Sequence, residues 1–299
     1  MGRSRGGTPI GFIGLGTMGE PMAARIVRAG FELAVLDLRE EPMARLGQLG
    51  AHPAESARDL ARRSRIVLAA VVDEAQVESL LVGPQPRCQP GLLADLAPGS
   101  IVVVHSTINP DTCQRMADLC RAQRIGFLDA PVTGGPAGAE AGTLALLVGG
   151  DAADLETCRP VFEVIGERIF HLGGPGRGQV AKIANNIALA TNLQAVHEAV
   201  EFGRSLGVEP DLLLDILRSG AGDSWAARNW SAIGVSARGY PGGVEGVARL
   251  TTKDLSMALR LAEKAGLELP VTELTAHRLV AAYSGAARFA TPSPIAADR

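Results

Sequence analysis

The chain has 299 residues, of which 46% are hydrophobic and 20% charged, as in a globular protein with one large or two ordinary domains. The net charge is −3 and the basic residues are scattered, which argues against a nucleic-acid-binding protein and against a polybasic membrane anchor. The basic start is not followed by a signal-peptide segment, and no uncharged apolar run reaches the ~18 residues that span a bilayer. We therefore expect a cytoplasmic protein that acts on small molecules, with no nucleic-acid or membrane partner.

The cysteines show no metal-binding or redox spacing. Cys88, Cys113, Cys120 and Cys158 include no C-x-x-C pair, and no histidine cluster accompanies them. We expect neither a metal site nor a disulfide framework, and a reducing cytoplasm fits this pattern.

From Pro9 onward, short apolar runs alternate with amphipathic helical segments. The runs predicted as strands are PIGFIG, LAVLD, RIVLAAV, IVVVHS, FLDAP, LALLVGG and IFHLGG. Near-continuous apolar strands separated by helices are typical of a parallel sheet that is covered on both faces. The pattern predicts an α/β fold with an N-terminal Rossmann domain, a doubly wound parallel sheet that binds ligands at the carboxyl ends of its strands.

The pattern changes after a glycine-rich break at residues 173–178. No convincing strand follows, and a long helix is predicted from about Gln179 to Ser205. We predict a Rossmann domain over 9–175, an all-helical substrate and oligomerisation domain over 176–288, and a flexible tail over 289–299. The long helix exposes more apolar surface than suits a monomer, so we expect a homodimer or homotetramer.

A glycine motif opens the first predicted helix. Gly14, Gly16 and Gly19 form a G-x-G-x-x-G pattern between an apolar strand and a helix closed by Gly30, and the next strand ends at Asp37. The three glycines suit a tight turn, close approach of a pyrophosphate and close helix packing, respectively. Asp37 can accept hydrogen bonds from ribose hydroxyls and would repel a 2′-phosphate. The motif therefore predicts NAD as cofactor, with NADP disfavoured.

The stretch APVTGGPAG is too rich in glycine for a regular strand. We therefore expect a loop after Pro131, near the end of a strand, with exposed backbone N–H groups. Such a group of N–H donors suits an anion.

One lysine and two asparagines interrupt an otherwise apolar predicted helix in GQVAKIANN. Lys182 and Asn186 are four residues apart and share a helical face, with Asn185 close by. A lysine between apolar residues can also extend its ammonium group to water, so these residues alone leave a catalytic and a solvated role equally open.

Five separated motifs, in their order and spacing, resemble the β-hydroxyacid dehydrogenase family, whose best-known member is 3-hydroxyisobutyrate dehydrogenase. They are GFIGLGTMGEPMA, STINP, LDAPVTGGPAGAEAGTL, GQVAKIANN and KDLSMAL. The resemblance implies a Rossmann domain followed by a helical domain, dimers or tetramers, and reversible NAD- or NADP-linked oxidation of a hydroxy acid to its semialdehyde.

The resemblance also assigns roles to individual residues. Lys182 would transfer the proton, Asn186 would orient the lysine or the substrate hydroxyl, and Thr133, Gly134 and Gly135 would hold the substrate carboxylate. A lysine in a dry setting holds its proton less tightly than in water, which suits this task. Cofactor contacts would come from Gly14, Gly16, Met18, Gly19, Asp37, Val71, Val72, Thr107 and Lys253.

Other positions are less closely tied to the family pattern. His105 replaces the usual acidic residue before Ser-Thr, and we interpret it as a packed histidine at a strand end. Val71-Val72 replaces a Leu-Pro pair. Lys253 is predicted just before a new amphipathic helix, with Asp254 in its first turn, where a carboxylate suits the helix dipole. Trp225 is interpreted either as a core aromatic residue or as a border of the substrate cavity.

Three other kinds of protein share parts of this plan. Imine reductases typically lack the lysine, decarboxylating 6-phosphogluconate dehydrogenases have a much longer helical domain, and a non-enzymatic NAD-binding protein needs no Lys182, Asn186 and Thr-Gly-Gly loop together. We predict NAD-dependent oxidation of a small β-hydroxy acid, similar to 3-hydroxyisobutyrate, to its semialdehyde. The alternatives are a related reductase of a semialdehyde, glyoxylate or an imine, and a non-enzymatic NAD-binding homologue.

Overall fold

The structure of the protein, a computed structural model, describes residues 8–83 and 91–288. Its contacts divide the chain into two compact units, with the division after Lys182. The predicted tail at 289–299 and Cys88 lie outside the described residues. The predicted domain boundary between 175 and 176 stays a prediction.

Within the described residues, all strands belong to the first unit. They are β1 (Ile10–Ile13), β2 (Leu33–Leu36), β3 (His52–Pro53), β4 (Ile66–Ala69), β5 (Ile101–Val104), β6 (Gly126–Asp129), β7 (Val132–Thr133), β8 (Leu144–Gly150) and β9 (Gly166–His171). The helices between them are α1 (Gly19–Arg28), α2 (Glu40–Gln48), α3 (Ala57–Arg62), α4 (Glu74–Val82), α5 (Pro110–Ala122), α6 (Gly135–Ala141) and α7 (Ala152–Ile165), with a 3₁₀ turn at Leu92–Ala94. Every predicted strand is present, and β3 and β7 escaped prediction because two residues carry no periodicity.

The sheet has the strand order of a Rossmann fold. Strands β3, β2, β1, β4, β5 and β6 lie side by side and are all parallel. The register pairs Ile13 with both Leu36 and Ala69, Ala69 with Val104, and Val104 with Asp129. The carboxyl ends of these strands are therefore level, so the residues that follow them line up along one edge of the sheet.

Strand β8 departs from the predicted parallel arrangement. It pairs antiparallel with both β6 and β7, and parallel with β9. The reason is the short connection: β7 follows β6 after two residues, and α6 then turns the chain back along β7. A parallel return would need a longer crossover that passes over one face of the sheet.

Alternate residues of the strands feed two separate cores. Phe12, Leu68 and Val103 belong to the cluster on one face, and Val67 and Val102 belong to the cluster on the other. All five side chains are completely buried. Full burial of a side chain of this size contributes about 1.5–3 kcal/mol, so covering both faces with helices stabilises the sheet.

Beyond the sheet, every described element from Arg177 to residue 288 is a helix. These are α8 (Arg177–Ser205), α9 (Pro210–Ser219), α10 (Trp225–Arg228), α11 (Trp230–Gly239), α12 (Gly243–Lys264), α13 (Pro270–Ala276) and α14 (Leu279–Arg288). The predicted helical C-terminal region is confirmed. Its core includes the fully buried Trp230, whereas Trp225 is 54% exposed, so the interpretation of Trp225 as a core residue is wrong. None of the described helices is long and apolar enough to cross a membrane.

Candidate active site

The glycine loop lies between β1 and α1, at the level edge of the sheet. Gly14 has a φ of +88°, and a Cβ atom there would overlap the carbonyl oxygen of Ala70. A Cβ at Gly19 would overlap the carbonyl oxygen of Gly14, whereas a Cβ at Gly16 would meet no atom of the described part of the chain within 4 Å. Gly14 and Gly19 are thus required by the loop's own packing. Gly16 faces open space, as a position that a ligand approaches should.

Asp37 follows β2 and is hydrogen-bonded to this loop. Its Oδ2 accepts the Leu15 N–H at 2.6 Å, and its Oδ1 accepts the Arg39 backbone N–H at 2.9 Å and the Arg39 Nε–H at 3.1 Å. Burial acts to raise the pKa of Asp37, but the hydrogen bonds and charge of Arg39, with the Leu15 amide, outweigh it and lower the pKa below its usual value. A carboxylate therefore stands beside the loop that the sequence assigned to the pyrophosphate.

Hydrogen bonds join the residues that follow β4 to those that follow β5. The Ser106 hydroxyl donates to the Val71 carbonyl at 2.7 Å and accepts the Val71 N–H at 2.9 Å. Val72 is 65% exposed, and its N–H is bonded to Gln76 Oε1 at 3.0 Å. Thr107 follows Ser106 directly. Val71, Val72 and Thr107 therefore belong to two adjacent strand ends that one hydroxyl holds together.

His105 is a packed strand-end histidine, as predicted. The ring lies between Phe12 and Phe162, and its Nδ1 is 2.7 Å from the Ala130 carbonyl oxygen, to which it donates. The Nε2 atom is buried and has no hydrogen-bond partner among residues 8–83 and 91–288. Burial lowers the pKa of His105 to about 4, only partly opposed by the bond to Ala130. The ring is therefore neutral and structural.

Because the buried ring of His105 is neutral, we predict that the free energy of unfolding falls at acid pH. The folded-state pKa of about 4 lies below the ordinary histidine pKa of 6.5, so the stabilisation is complete above pH 6.5 and is lost as the pH falls towards 4. The difference corresponds to about 3 kcal/mol. Urea unfolding should show this acid-dependent loss of stability in the wild type and in His277→Gln, a control at an exposed histidine. His105→Leu should not show it. An equal acid dependence in all three proteins would contradict the prediction.

The predicted anion loop is more regular than expected. Val132–Thr133 is a short strand and Gly135 begins α6, so the prediction of a loop directly after Pro131 is wrong in its extent. The pairing of β7 with β8 accounts for this, because it supplies the partners that a sequence pattern cannot show. Gly134 and Gly135 have φ values of +129° and +66°, and α6 has no side-chain cap. The N–H groups here therefore have no side-chain acceptor from the capping position.

Two residues that the sequence did not single out hold the start of α8 within the first unit. Asp129, at the end of β6, is completely buried and accepts the N–H groups of Gly176 at 2.7 Å and Gln179 at 2.9 Å. The Gln179 carboxamide is hydrogen-bonded to the backbone of Ser106 and of Ile108, on the two sides of Thr107. Lys182 is half-buried and lies three residues beyond Gln179. In the sequence, the only sign of this role was that Asp129 and Gln179 are each a polar residue in an apolar run.

In the second unit, Asn186 is paired with a buried carboxylate. Its Nδ2 donates to Asp254 Oδ2 at 2.7 Å, its Oδ1 accepts from Asn185 at 3.3 Å, and Lys253 Nζ is 3.3 Å from Asp254 Oδ1. Lys253 and Asp254 lie in the middle of α12, which begins at Gly243, so their predicted place at a helix start is wrong. The argument from the helix dipole therefore fails. Asp254 acts instead through its bond to Asn186.

The first unit fits a dinucleotide. The open position at Gly16 and the N-terminus of α1, which has no side-chain cap at Met18, provide room and N–H donors for a pyrophosphate. Asp37 provides a carboxylate for a ribose, one strand further along the edge. The geometry of the glycine loop and Asp37 is thus compatible with NAD, and the assignment of individual cofactor contacts stays a prediction.

The fold and these groups define a class: an oxidoreductase with an NAD-binding Rossmann unit followed by a helical unit. Two family models match the chain: the NAD-binding domain of 6-phosphogluconate dehydrogenase over residues 9–173, and the NAD-binding domain of NADP-dependent 3-hydroxyisobutyrate dehydrogenase over 176–290. The chain belongs to the β-hydroxyacid dehydrogenase family.

Individual relatives agree with this assignment. An NAD-dependent L-serine dehydrogenase of Pseudomonas aeruginosa is 40% identical over 89% of this chain and 89% of its own. A 3-hydroxyisobutyrate dehydrogenase of the same organism is 37% identical with the same coverage of both chains. The crystal structure of a 3-hydroxyisobutyrate dehydrogenase from Salmonella typhimurium matches with a TM-score of 0.82 and 27% identity, over 94% of this chain and 99% of that one.

Proposed function

We propose that this enzyme catalyses the reversible NAD-dependent oxidation of a small β-hydroxy acid to its semialdehyde. The substrates in the names of the two Pseudomonas relatives, L-serine and 3-hydroxyisobutyrate, both carry a primary alcohol on the carbon next to the one that bears the carboxylate. We assign the same class of substrate to this protein.

The observation that carries the proposal is the pairing of Asn186 with Asp254. A buried carboxylate at 2.7 Å fixes the carboxamide one helical turn from Lys182. Fixing a carboxamide in this way has a use if it must present one edge to a reacting group. A neighbouring lysine is the natural partner for proton transfer.

The scarcity of lysine supports the same assignment. Lys182, Lys253 and Lys264 are the only lysines in the sequence, so 29 basic residues minus three leaves 26 arginines. Arginine cannot give up its proton in a protein, whereas lysine can. Two of the three lysines lie in the motifs that resemble the family. A general need for positive charge, which arginine meets elsewhere in this chain, does not explain them.

The chemistry then divides among the chain's own residues. NAD, when bound along Gly14, Gly16, Met18, Gly19, Asp37, Val71, Val72, Thr107 and Lys253, supplies the hydride acceptor. Lys182 takes the hydroxyl proton during oxidation and returns a proton to the oxygen during reduction. Asn186 orients the hydroxyl or the lysine amine. Thr133, Gly134 and Gly135 hold the carboxylate, which fixes the distance between that group and the reacting carbon.

A panel of small hydroxy acids tests this function. Oxidation with NAD is followed by the absorbance of the reduced cofactor, and each acid is compared with its uncharged amide. We expect turnover of L-serine-like or 3-hydroxyisobutyrate-like acids and little turnover of the amides. An amide oxidised as well as its acid would rule out recognition of the carboxylate.

Thr133→Ala tests the carboxylate site directly. Loss of one side-chain hydrogen bond to a buried charge should cost about 1–3 kcal/mol of transition-state stabilisation, which lowers kcat/KM roughly 5- to 150-fold. Thr157→Ala, on the exposed side of α7, is the control and should leave kcat/KM unchanged. If the two variants had the same kcat/KM, the assignment of Thr133 would have to be given up.

Asp37 should make the enzyme prefer NAD to NADP. The added 2′-phosphate would lie beside its carboxylate, and like charges near a protein surface repel by up to ~4 kcal/mol at ~4 Å. Arg39, already bonded to Asp37 at 3.1 Å, offsets part of this. We expect a preference of about 10- to 100-fold in kcat/KM, or ~1.4–2.8 kcal/mol, that narrows in Asp37→Asn. Equal kcat/KM with both cofactors in the wild type is the contrary result.

We also propose a homodimer or homotetramer. Four large apolar side chains of α8, α9 and the turn between them are exposed by more than half: Phe202 and Leu206 by 69%, Leu212 by 56% and Ile216 by 55%. A second copy that covers them would remove this apolar surface from water. Light scattering at micromolar concentration should therefore give at least twice the mass of one chain.

A further inference from the structure

We propose that Gln179 is a positioning residue that couples the turn at Thr107 to Lys182. The inference rests on the proposed role of Lys182 and adds a residue to which no function has been assigned. It is carried by the hydrogen bonds of one buried carboxamide, all within the first unit.

The Gln179 side chain is hydrogen-bonded to the backbone of the two residues that flank Thr107. Its Nε2 donates to the Ser106 carbonyl oxygen at 2.8 Å, and its Oε1 accepts the Ile108 N–H at 3.1 Å. The residue is completely buried. A carboxamide offers a donor and an acceptor side by side, as this pair of backbone partners requires.

The backbone of Gln179 is fixed as firmly as its side chain. Asp129 accepts its N–H at 2.9 Å and that of Gly176 at 2.7 Å. Gly178 allows this close approach, because a Cβ there would overlap the Leu147 carbonyl oxygen. The first turn of α8 is therefore bonded to the ends of two sheet strands.

This network extends to the strand end beside it. Ser106, whose carbonyl accepts from Gln179, also exchanges two hydrogen bonds with Val71 through its hydroxyl. A series of hydrogen bonds thus connects Val71, through Ser106 and Gln179, to the helical turn that carries Lys182. Buried hydrogen bonds of this kind restrict side chains and backbone together, so the strand ends at Val71 and Thr107 and the backbone of Lys182 hold one relative position.

The test compares Gln179→Met with a control at a second glutamine of the same helix. Gln194 is also buried, but its Nε2 donates to Glu198 Oε1 at 2.8 Å, on its own helix. Misplacing a reacting group by about 1 Å can cost 10²-fold in rate, so Gln179→Met should lower kcat by about 10- to 100-fold. KM and the dissociation constant of NADH, measured by fluorescence, should change by less than about threefold, and Gln194→Met should resemble the wild type.

Gln179→Glu separates the hydrogen bonds from packing. An ionised carboxylate faces the Ser106 carbonyl oxygen with like partial charge, whereas the protonated acid donates to that oxygen and still accepts from Ile108. Burial favours the acid form. In the direction of carbonyl reduction, the ratio of the kcat of Gln179→Glu to that of the wild type should rise at least about fivefold from about pH 9 to about pH 6. A role in packing alone predicts a constant ratio.

A third measurement does not depend on activity. Without cofactor, amide hydrogen exchange at Ile108 should be faster in Gln179→Met than in the wild type and unchanged in Gln194→Met. The positioning role is overturned if Gln179→Met keeps kcat within about twofold of Gln194→Met, or if the Gln179→Glu ratio does not change with pH. The proposed function fails separately, if Lys182→Met remains active, whatever the Gln179 variants show.

Discussion

Lys182→Met should lower kcat by about 10² to 10⁴-fold while the protein stays folded, because general acid–base catalysis contributes a factor of this size. Methionine keeps the aliphatic stem and most of the packing of a half-buried lysine, so circular dichroism and the urea midpoint should hardly change. Steady-state rates on the best acid of the substrate panel provide the measurement. The affinity for NAD should also be kept, because the glycine loop and Asp37 supply that binding.

Lys264 is a fitting control for this substitution. It lies exposed in the last turn of α12, outside every proposed contact, so Lys264→Met removes the same charge and should keep the wild-type kcat. If Lys182→Met kept more than about a tenth of wild-type kcat, at a rate limited by the chemical step, Lys182 could not be the proton-transfer residue.

Asp129→Leu should lower the free energy of unfolding by about 3–5 kcal/mol, because each buried N–H group left without an acceptor costs about 1–3 kcal/mol. The substitution leaves the N–H groups of Gly176 and Gln179 without their acceptor. Asp129→Asn keeps the size and one accepting oxygen and should cost less, about 1–3 kcal/mol.

The measurement is urea unfolding of the three proteins at one pH. Burial raises the pKa of Asp129 despite the backbone hydrogen bonds, so the folded state holds this proton more tightly than the unfolded chain. Its contribution to stability therefore falls as the pH rises through the two pKa values, and a fixed pH removes that variable. A loss of less than about 1 kcal/mol for Asp129→Leu would show that water or other groups replace the carboxylate.

The sequence by itself determined those features that depend on local backbone geometry and periodicity. Gly14 needs its positive φ and Gly19 its missing Cβ whatever the rest of the chain does, so the motif was readable in advance. Continuous apolar runs predicted β1, β2, β4, β5 and β6. The lack of such runs after residue 178 predicted the helical region. The spacing of Lys182 and Asn186 placed both on one face of α8. The recognition of five motifs then supplied the chemistry.

Only the tertiary structure decided which buried polar groups meet. Gln179 is bonded to Ser106, 73 positions earlier in the chain, and Asn186 to Asp254, 68 positions later. In the sequence, Asp129 is one polar residue at a strand end, and Asp254 seemed to begin a helix. The direction of β8 was hidden for the same reason. Periodicity reports which face of an element is buried, but the partner of a buried hydrogen-bonding group depends on which elements pack together, and no local pattern records that.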